Sequence, residues 1–165
     1  MPKLIVNSKI FSLGGEMWIT DGNETPLYSV KGSFLKIPKF FTIYDAAGNE
    51  RAKVTHKVLS LLPKFFLEID GQEAATISKR LTLFKAKYDV EAHDIQLNGN
   101  ILDMNFEILR HGQVIGRIDK QWFSIRDKYM IEVENKEDEL LVLSLVLAVD
   151  YVKREESNTG STSYY

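Results

Sequence analysis

The chain has 165 residues, of which 44% are hydrophobic and 27% are charged, and its formal net charge is -2. This length predicts one domain with a substantial core, and 21 Lys and Arg against 23 Asp and Glu exclude the general basic excess typical of nucleic-acid-binding proteins. The absence of cysteine excludes disulfides, thiolate metal sites and cysteine nucleophiles, and it suits a reducing compartment, so we expect a cytoplasmic protein.

The first residues, MPKLIVNSK, contain an apolar run of only three residues, from Leu4 to Val6. A secretory signal needs an apolar run of roughly 7–15 residues. We therefore expect no signal peptide, and the alternation of polar and apolar residues predicts a first strand.

Four segments each combine an apolar-rich stretch, a polar turn containing Gly and a second apolar-rich stretch, which is the pattern of a β-hairpin. They are WITDGNETPLYSV at 18–30, FTIYDAAGNERAKV at 41–54, LEIDGQEAATI at 67–77 and FEILRHGQVIGRI at 106–118. The Asn98-Gly99 pair predicts one more hairpin turn, because Asn-Gly tolerates positive φ. Two segments, IPKFFTIYD at 37–45 and LPKFFLEID at 62–70, also resemble each other, which suggests hairpins arrayed as a meander or barrel.

The most apolar segment is ELLVLSLVLAVDYV at 139–152. As a helix its apolar part, 140–149, would rise about 15 Å, about half of a hydrocarbon core of roughly 30 Å, so we exclude a membrane span. Apolar side chains surround this helix on every side except at Ser144, which predicts burial in a protein core. A buried strand is the alternative that an apolar run leaves open.

Charged residues at both ends favour the helix. Asn135 or Asp138 can cap its start, where further acidic side chains follow, and Lys153 and Arg154 lie where the helix dipole favours cations. The polar, small-residue-rich segment 156–165 predicts a disordered tail.

Ten or more strands followed by one helix that must be buried on all sides predict a closed, wide barrel of eleven or twelve strands around the helix. This order resembles the LURP-one-related family of the tubby C-terminal-like superfamily, which also includes phospholipid scramblases. The match lies in the hairpins FTIYDAAGNERAKV, LEIDGQEAATISK and FEILRHGQVIGRIDKQW and in the terminal DELLVLSLVLAVDYVKRE. The resemblance implies a mainly β fold, a closed antiparallel barrel of about twelve strands enclosing a central C-terminal helix, within one domain at 1–155.

Basic residues recur where hairpins end, and they form the candidate ligand-binding set: Lys57, Lys79, Arg80 and Lys120. Positions two apart in a strand share a face, so Lys79 follows Ile77 inward, and Lys120 follows Ile118. We expect a cationic barrel mouth that binds an anionic headgroup. The alternative is that these basic residues neutralise carboxylates such as Asp103 or Glu107.

Lysines also stand beside aromatic residues, in a pattern that suits an anionic membrane surface. These are Lys36, and Lys39 with Phe40 and Phe41, and Lys64 with Phe65 and Phe66. The alternative, which we favour, is that they begin strands whose Phe residues enter the core while the lysines protect sheet edges.

The sequence predicts no catalytic residue, no metal and no cofactor. Asp21, Asp45 and Asp70 could suggest the paired carboxylates of a glycosidase, but each stands beside Gly or Asn or Ala where a strand meets a turn, so we expect them to bond their own backbone. The histidines at 56, 93 and 111 lack metal-ligand spacing.

We expect a non-enzymatic intracellular binding module. The resemblance implies a phospholipid or phosphoinositide partner, because tubby proteins bind phosphoinositides and scramblases move phospholipids. A protein-interaction or structural scaffold with an unknown protein partner and no lipid affinity is the alternative, and a carboxylate-dependent hydrolase is the third. We expect no nucleic-acid partner and no transmembrane segment, and a location in the cytoplasm, peripheral to a membrane if lipid is bound.

Overall fold

Twelve β-strands precede one long helix in the computed structural model, which describes residues 2–7, 16–33, 40–57, 64–81, 86–91, 95–101, 103–120 and 128–162. The strands are β1 (Lys3–Asn7), β2 (Met17–Thr20), β3 (Pro26–Ser33), β4 (Phe40–Asp45), β5 (Glu50–Lys57), β6 (Lys64–Ile69), β7 (Gln72–Leu81), β8 (Ala86–Glu91), β9 (Ile95–Asn100), β10 (Asn105–Arg110), β11 (Gln113–Asp119) and β12 (Lys128–Val133). A 3-10 turn (Lys136–Asp138) leads into α1 (Glu139–Thr162).

All twelve strands form one antiparallel sheet in the order β8-β7-β6-β5-β4-β3-β2-β1-β12-β11-β10-β9. Neighbours in the sheet are neighbours in the chain, except where β1 pairs with β12, for example at Leu4 opposite Ile131. The predicted mainly β, antiparallel fold with a C-terminal helix is therefore confirmed. Closure into a barrel is not confirmed, because β8 and β9 stand at the two ends of the strand order and do not pair with each other in it.

The four predicted hairpins are confirmed as β2–β3, β4–β5, β6–β7 and β10–β11. Each carries a register shift shortly before its turn, which increases local twist and helps a sheet to curve. The further hairpin indicated by Asn98-Gly99 is also confirmed, as β9–β10, but its turn follows Asn100, because β9 continues through the Asn-Gly pair to that residue. Gly99 has φ 122°, and a Cβ there would lie 2.9 Å from the Phe106 Cα, so the glycine permits close approach of β10.

The helix α1 is enclosed, as predicted. Every residue from Val142 to Tyr151 is buried, and therefore every face of nearly three turns is covered. The helix contacts β5 and β6 as well as β11 and β12, which are separated in the sheet by β1 to β4. The sheet must therefore curve around the helix. Because residues 139–162 form a helix, the alternative of a buried strand is excluded.

Both ends of α1 differ from the sequence prediction. Asn135 makes no side-chain cap hydrogen bond, and the Asp138 carboxylate instead accepts a bond from Arg110 Nη1 at 2.5 Å. The helix also continues to Thr162, while the disordered tail at 156–165 stays a prediction. Lys153 and Arg154 consequently lie within the helix and not in its last turn.

Polar contacts between α1 and the strands complement the apolar packing. Tyr28 Oη donates to Glu139 Oε1 at 2.5 Å, and burial together with this bond raises the pKa of Tyr28. Deeper inside, Tyr129 Oη lies 3.3 Å from Asp150 Oδ2. Because such bonds are directional, these contacts define the axial position and rotation of the helix.

Candidate functional site

The sheet has two ends with different charges. At the helix-entry end lie the turns 21–25, 46–49, 70–71 and 111–112 and the segment 134–138 that leads into α1. The opposite end, which we call the distal end, is defined by the strand termini Asn7, Ser33, Lys57, Leu81, Asn100 and Asp119. The register of each antiparallel pair decides which residues meet there.

The helix-entry end is rich in carboxylates that shape turns. Asp21 Oδ1 accepts hydrogen bonds from the backbone N–H groups of Asn23 and Thr25 at 2.8 and 2.9 Å. Asp45 Oδ1 accepts from Ala47 and Asn49 at 3.0 and 2.9 Å. The turn function predicted for these two aspartates is therefore confirmed.

Asp70 has a different partner. It stands at φ 50° in its turn, and Arg51 Nε donates to its Oδ1 at 2.9 Å, while Arg51 Nη1 lies 3.7 Å from Asp45 Oδ2. The bond from Arg51 lowers the pKa of Asp70, and bonds from the Asn49 and Thr25 backbones lower the pKa of Asp45 and Asp21 respectively. A glycosidase acid needs a raised pKa, so none of these three is suited to that role.

The distal end is rich in cations, and all four residues of the predicted ligand set lie there. Lys57 ends β5, Lys79 and Arg80 come just before the end of β7, and Lys120 follows β11. The sheet order divides this set, because β6 alone separates β5 from β7, whereas β11 belongs to the other half of the sheet. The described cations at this end are Lys31, Lys57, Lys64, Lys79, Arg80, Lys87, Lys120 and Lys128.

Two like-charged pairs stand on adjacent hairpins at the distal end. Lys57 is opposite Lys64 in the β5–β6 register, and Arg80 is opposite Lys87 in the β7–β8 register. Like charges directly opposite in a sheet are destabilising, and an anion bound between them would relieve that cost. Sequence reasoning did not place Lys64 and Lys87 in the ligand set, although the position of Lys64 next to Phe65 and Phe66, at the expected start of a strand, was a usable signal.

Ser78 lies in this cluster. It stands opposite Lys64 in the β6–β7 register, two positions before Arg80. Its hydroxyl is buried and has no hydrogen-bond partner among the described atoms. A buried hydroxyl without a partner carries a free-energy cost, and it offers a donor to an anionic oxygen.

Lys120 is half-buried at the end of β11. The carboxylates suggested as its partners are engaged elsewhere: Asp103 Oδ2 accepts from Asn100 Nδ2 at 2.6 Å, and Glu107 Oε1 accepts from Arg117 Nε at 3.0 Å. The described salt bridges therefore give no support to neutralisation of Lys120 by either one.

The structure separates the members of each Phe-Phe pair. Phe41 and Phe65 are buried and pack against Tyr151, and their ring centroids lie 5.9 and 5.8 Å, respectively, from the centroid of the Tyr151 ring. Phe40 and Phe66 are only partly buried, and Lys53 Nζ lies 4.4 Å from the Phe40 ring centroid. One member of each pair thus belongs to the core, as the alternative predicted, and the other to the outer face, whereas Lys36 and Lys39 lie outside the described residues.

The histidines do not form a metal site in the part of the chain that the structure describes. His56 stacks on Phe65 with centroids 4.8 Å apart, and His111 occupies a turn at φ 50°. His93 lies outside the described residues. Within those residues, no group of three or more His, Asp or Glu side chains is arranged to hold a metal ion.

Comparison with known proteins agrees with this architecture. The family model described as LURP-one-related matches residues 2–150. The chain belongs to the LURP-one-related family. Uncharacterized protein YxjI of Bacillus subtilis (strain 168) is 24% identical over 152 residues, covering 92% of this chain and 94% of that protein.

A solved member of the fold is similar as well. The X-ray structure of a protein from Arabidopsis thaliana, AT5G01750, superposes with a TM-score of 0.65 at 15% identity, covering 92% of this chain and 90% of that one. This likeness shows the fold, and the family model confirms the membership of the LURP-one-related family that the sequence predicted. Among the helices that the structure describes, none is long and apolar enough to cross a membrane.

Proposed function

We propose that this LURP-one-related protein is a non-enzymatic binding module whose distal end binds anionic phospholipid headgroups at the surface of a membrane. The proposal rests on two pairs of cations that face each other on adjacent hairpins. Lys57 is opposite Lys64, and Arg80 is opposite Lys87. Lys79 and Lys120 extend this basic region. The ligand class is a phosphate-bearing headgroup, since cations and the Ser78 hydroxyl are donors suited to phosphate oxygens.

The distribution of charge supports one orientation on the membrane. Carboxylates are concentrated at the helix-entry end and cations at the distal end, although the net charge is only -2. A negatively charged leaflet attracts the distal end and repels the helix-entry end, with about 1 kcal/mol per Lys or Arg near the surface. Phe40 and Phe66, on the outer face near the distal end, supply aromatic area at the contact.

We also propose that the sheet is closed into a barrel and that the protein is cytoplasmic. Closure would bring β11, and with it Lys120, closer to the β5–β8 cations around the distal end. The absence of cysteine suits a reducing compartment, in which a leaflet rich in anionic lipid is the available surface.

The test is co-sedimentation with vesicles of neutral phosphatidylcholine alone, with added phosphatidylserine, and with added phosphoinositide. The test variant carries Lys57→Glu and Arg80→Glu, and the control carries Lys3→Glu and Lys136→Glu at the helix-entry end, which change the net charge equally. We expect the first variant to bind anionic vesicles at least about thirtyfold more weakly and the control to bind nearly as wild type does. Folding should survive, because Lys57→Glu replaces the repulsion opposite Lys64 with an attraction.

Salt and soluble competitors identify the ligand further. Binding through exposed charges weakens as salt rises from low to near-physiological concentration. Competition by a soluble inositol phosphate would indicate headgroup recognition, whereas its absence would indicate a diffuse electrostatic contact. Equal binding of the two double variants, or no binding of the wild type to any vesicle, would refute the proposal and favour a scaffold that binds protein.

A further inference from the structure

A groove of about 440 Å³ lies on the outer face of the sheet, where β12, β1 and β2 adjoin. Leu4 and Val6 of β1 point into the core and are fully buried, so Ile5 between them faces outward. The same alternation puts Trp18 outside, between buried Met17 and Ile19. The groove is therefore on the side of the sheet opposite to α1, away from the cation pairs of β5 to β8.

Trp18 is the feature that requires an explanation. It is 48% exposed, and no other large hydrophobic side chain is exposed among the residues whose side chains the structure describes. Trp is enriched among the residues that dominate binding energy at protein interfaces. Ile5 stands opposite Met130 on β12 and opposite Thr20 on β2, two positions from Trp18 on the same face, so the partly exposed Ile5 and Met130 lie diagonally beside Trp18.

The helix-entry end of this groove carries fixed negative charge. Asp21 and Glu24 line it there, whereas Lys128 lines it at the distal end. Asp21 Oδ1 is bound to two backbone N–H groups, which lower the pKa of Asp21 and keep the carboxylate ionised. Glu24 is held at φ 63° and donates its backbone N–H to the Asp21 carbonyl at 3.1 Å.

The left-handed backbone conformation of Glu24 supports a role of this turn in binding. A non-glycine residue in the left-handed region is unfavourable unless its surroundings require it, and such residues cluster at binding sites. The tight turn fixes the backbone from which both carboxylates extend before any ligand arrives, which lowers the ordering cost of binding.

We infer that this groove is a docking site for a short extended peptide segment of a protein partner, in which a bulky apolar residue is closely followed or preceded by Lys or Arg. The apolar side chain packs on Trp18 and Ile5, and the basic side chain pairs with Asp21 and Glu24. The charges decide the class of partner, because an anionic membrane surface would be repelled by these two carboxylates. The inference goes beyond lipid binding at the distal end and does not depend on it.

The experiment selects phage-displayed random heptapeptides on the wild-type protein after depletion on Trp18→Ser. Enriched peptides are then titrated by fluorescence against Trp122→Phe protein, in which Trp18 is the remaining one of the two tryptophans. Three variants are compared by displacement of a labelled copy of the peptide: Trp18→Ala, the double variant Asp21→Asn with Glu24→Gln, and the double variant Glu68→Gln with Glu73→Gln. The last is the control, because it removes equal charge from exposed positions on β6 and β7.

We expect enriched sequences to combine a bulky apolar residue with a basic residue, and Trp18→Ala to weaken their binding at least tenfold. Asp21→Asn with Glu24→Gln should weaken it about three- to tenfold at low salt and less at high salt, because rim charges are screened. Asp21→Asn preserves the turn, since the amide oxygen still accepts both backbone bonds. The Glu68 and Glu73 control should bind as wild type does.

Three results would overturn the inference. One is a selection that enriches no sequence on the wild type relative to Trp18→Ser. Another is enrichment of peptides without a basic residue, or of peptides indifferent to the Asp21 and Glu24 changes. The third is loss of vesicle binding in Trp18→Ala with no peptide enriched, which would assign Trp18 to the membrane contact.

Discussion

At the level of single residues, Gly116 decides how closely the sheet approaches the central helix. A Cβ at Gly116 would lie 2.6 Å from Val142 Cγ1, and Val142 is fully buried on α1. We expect Gly116→Ala to lower the free energy of unfolding by about 1–3 kcal/mol, the usual cost of overpacking. Urea denaturation measures this change.

A double-mutant cycle separates this contact from general effects of the substitution. Val142→Ala removes the methyl groups that would clash, so it should cost less in the Gly116→Ala background than in the wild type. Gly22→Ala serves as the control, because no atom lies within 4 Å of a Cβ built there. Simple additivity of the two changes would mean that the contact does not limit packing.

Aspartates at the helix-entry end make stability depend on pH. The bond from Arg51 lowers the pKa of Asp70 in the folded chain, so near pH 4 the unfolded chain binds more protons than the folded one. The stabilisation is present above the unfolded pKa of about 3.9 and is lost as pH falls through the lowered pKa. We expect the urea midpoint to fall as pH decreases from about 5 to about 3, and to fall less steeply in Asp70→Asn.

Asn is the appropriate replacement, because it tolerates the positive φ of residue 70 while removing the charge. Glu73→Gln is the matched control on the next strand, since Glu73 takes part in none of the described salt bridges. Equal pH dependence of Asp70→Asn and the wild type would show that the Arg51 contact does not contribute. Asp21 and Asp45, whose pKa values are also lowered, retain part of the dependence in either protein.

At the level of elements, the Ser144 hydroxyl is a polar group that lies within the apolar centre of α1. Ser144 is fully buried, and its hydroxyl has no hydrogen-bond partner among the described atoms. An unsatisfied buried hydroxyl costs about 1–3 kcal/mol. We therefore expect Ser144→Ala to raise the free energy of unfolding by about 1 kcal/mol, as measured by urea denaturation.

Ala148 provides the reverse experiment one turn later on the helix. It is also fully buried, so Ala148→Ser introduces a hydroxyl of the same kind and should destabilise the protein. Destabilisation by Ser144→Ala would contradict the assignment and would point to a partner for the hydroxyl inside the core.

At the level of the whole molecule, sheet and helix share one core. The inward apolar residues of the strands and the buried apolar residues between 142 and 151 of α1 form one hydrophobic cluster. Removal of the helix leaves the concave side of the sheet exposed to water. We expect a chain ending at residue 134 to show no cooperative unfolding transition, whereas a chain ending at 155 retains one.

Thermal denaturation followed by circular dichroism distinguishes these two truncations. The longer truncation is the control, because it keeps every helix residue described as buried, up to Tyr151. A cooperative transition in the chain ending at 134 would mean that the sheet forms its core without the helix. The helix would then be an accessory element and not the centre of the fold.

The sequence predicted the elements well because their signals are local. Strand alternation, the Gly-containing hairpin turns and the uninterrupted apolar run each depend on residues close together in the chain. At Asn98-Gly99 the hairpin was predicted correctly, but the position of its turn was not. The composition of this pair suits a turn, but Gly99 is required by the approach of the Phe106 backbone, a contact between strands that composition does not encode.

The candidate sites were less predictable because register decides them. The sequence by itself determined the cations at hairpin ends, the exposed-or-buried alternation, the enclosed helix and the family. Only the tertiary structure paired Lys57 with Lys64 and Arg80 with Lys87. It alone brought Ile5, Trp18 and Lys128 together, because β1 pairs with β12 at the other end of the chain. Long-range pairing follows from the way the whole sheet curves around α1, and no local segment carries that information.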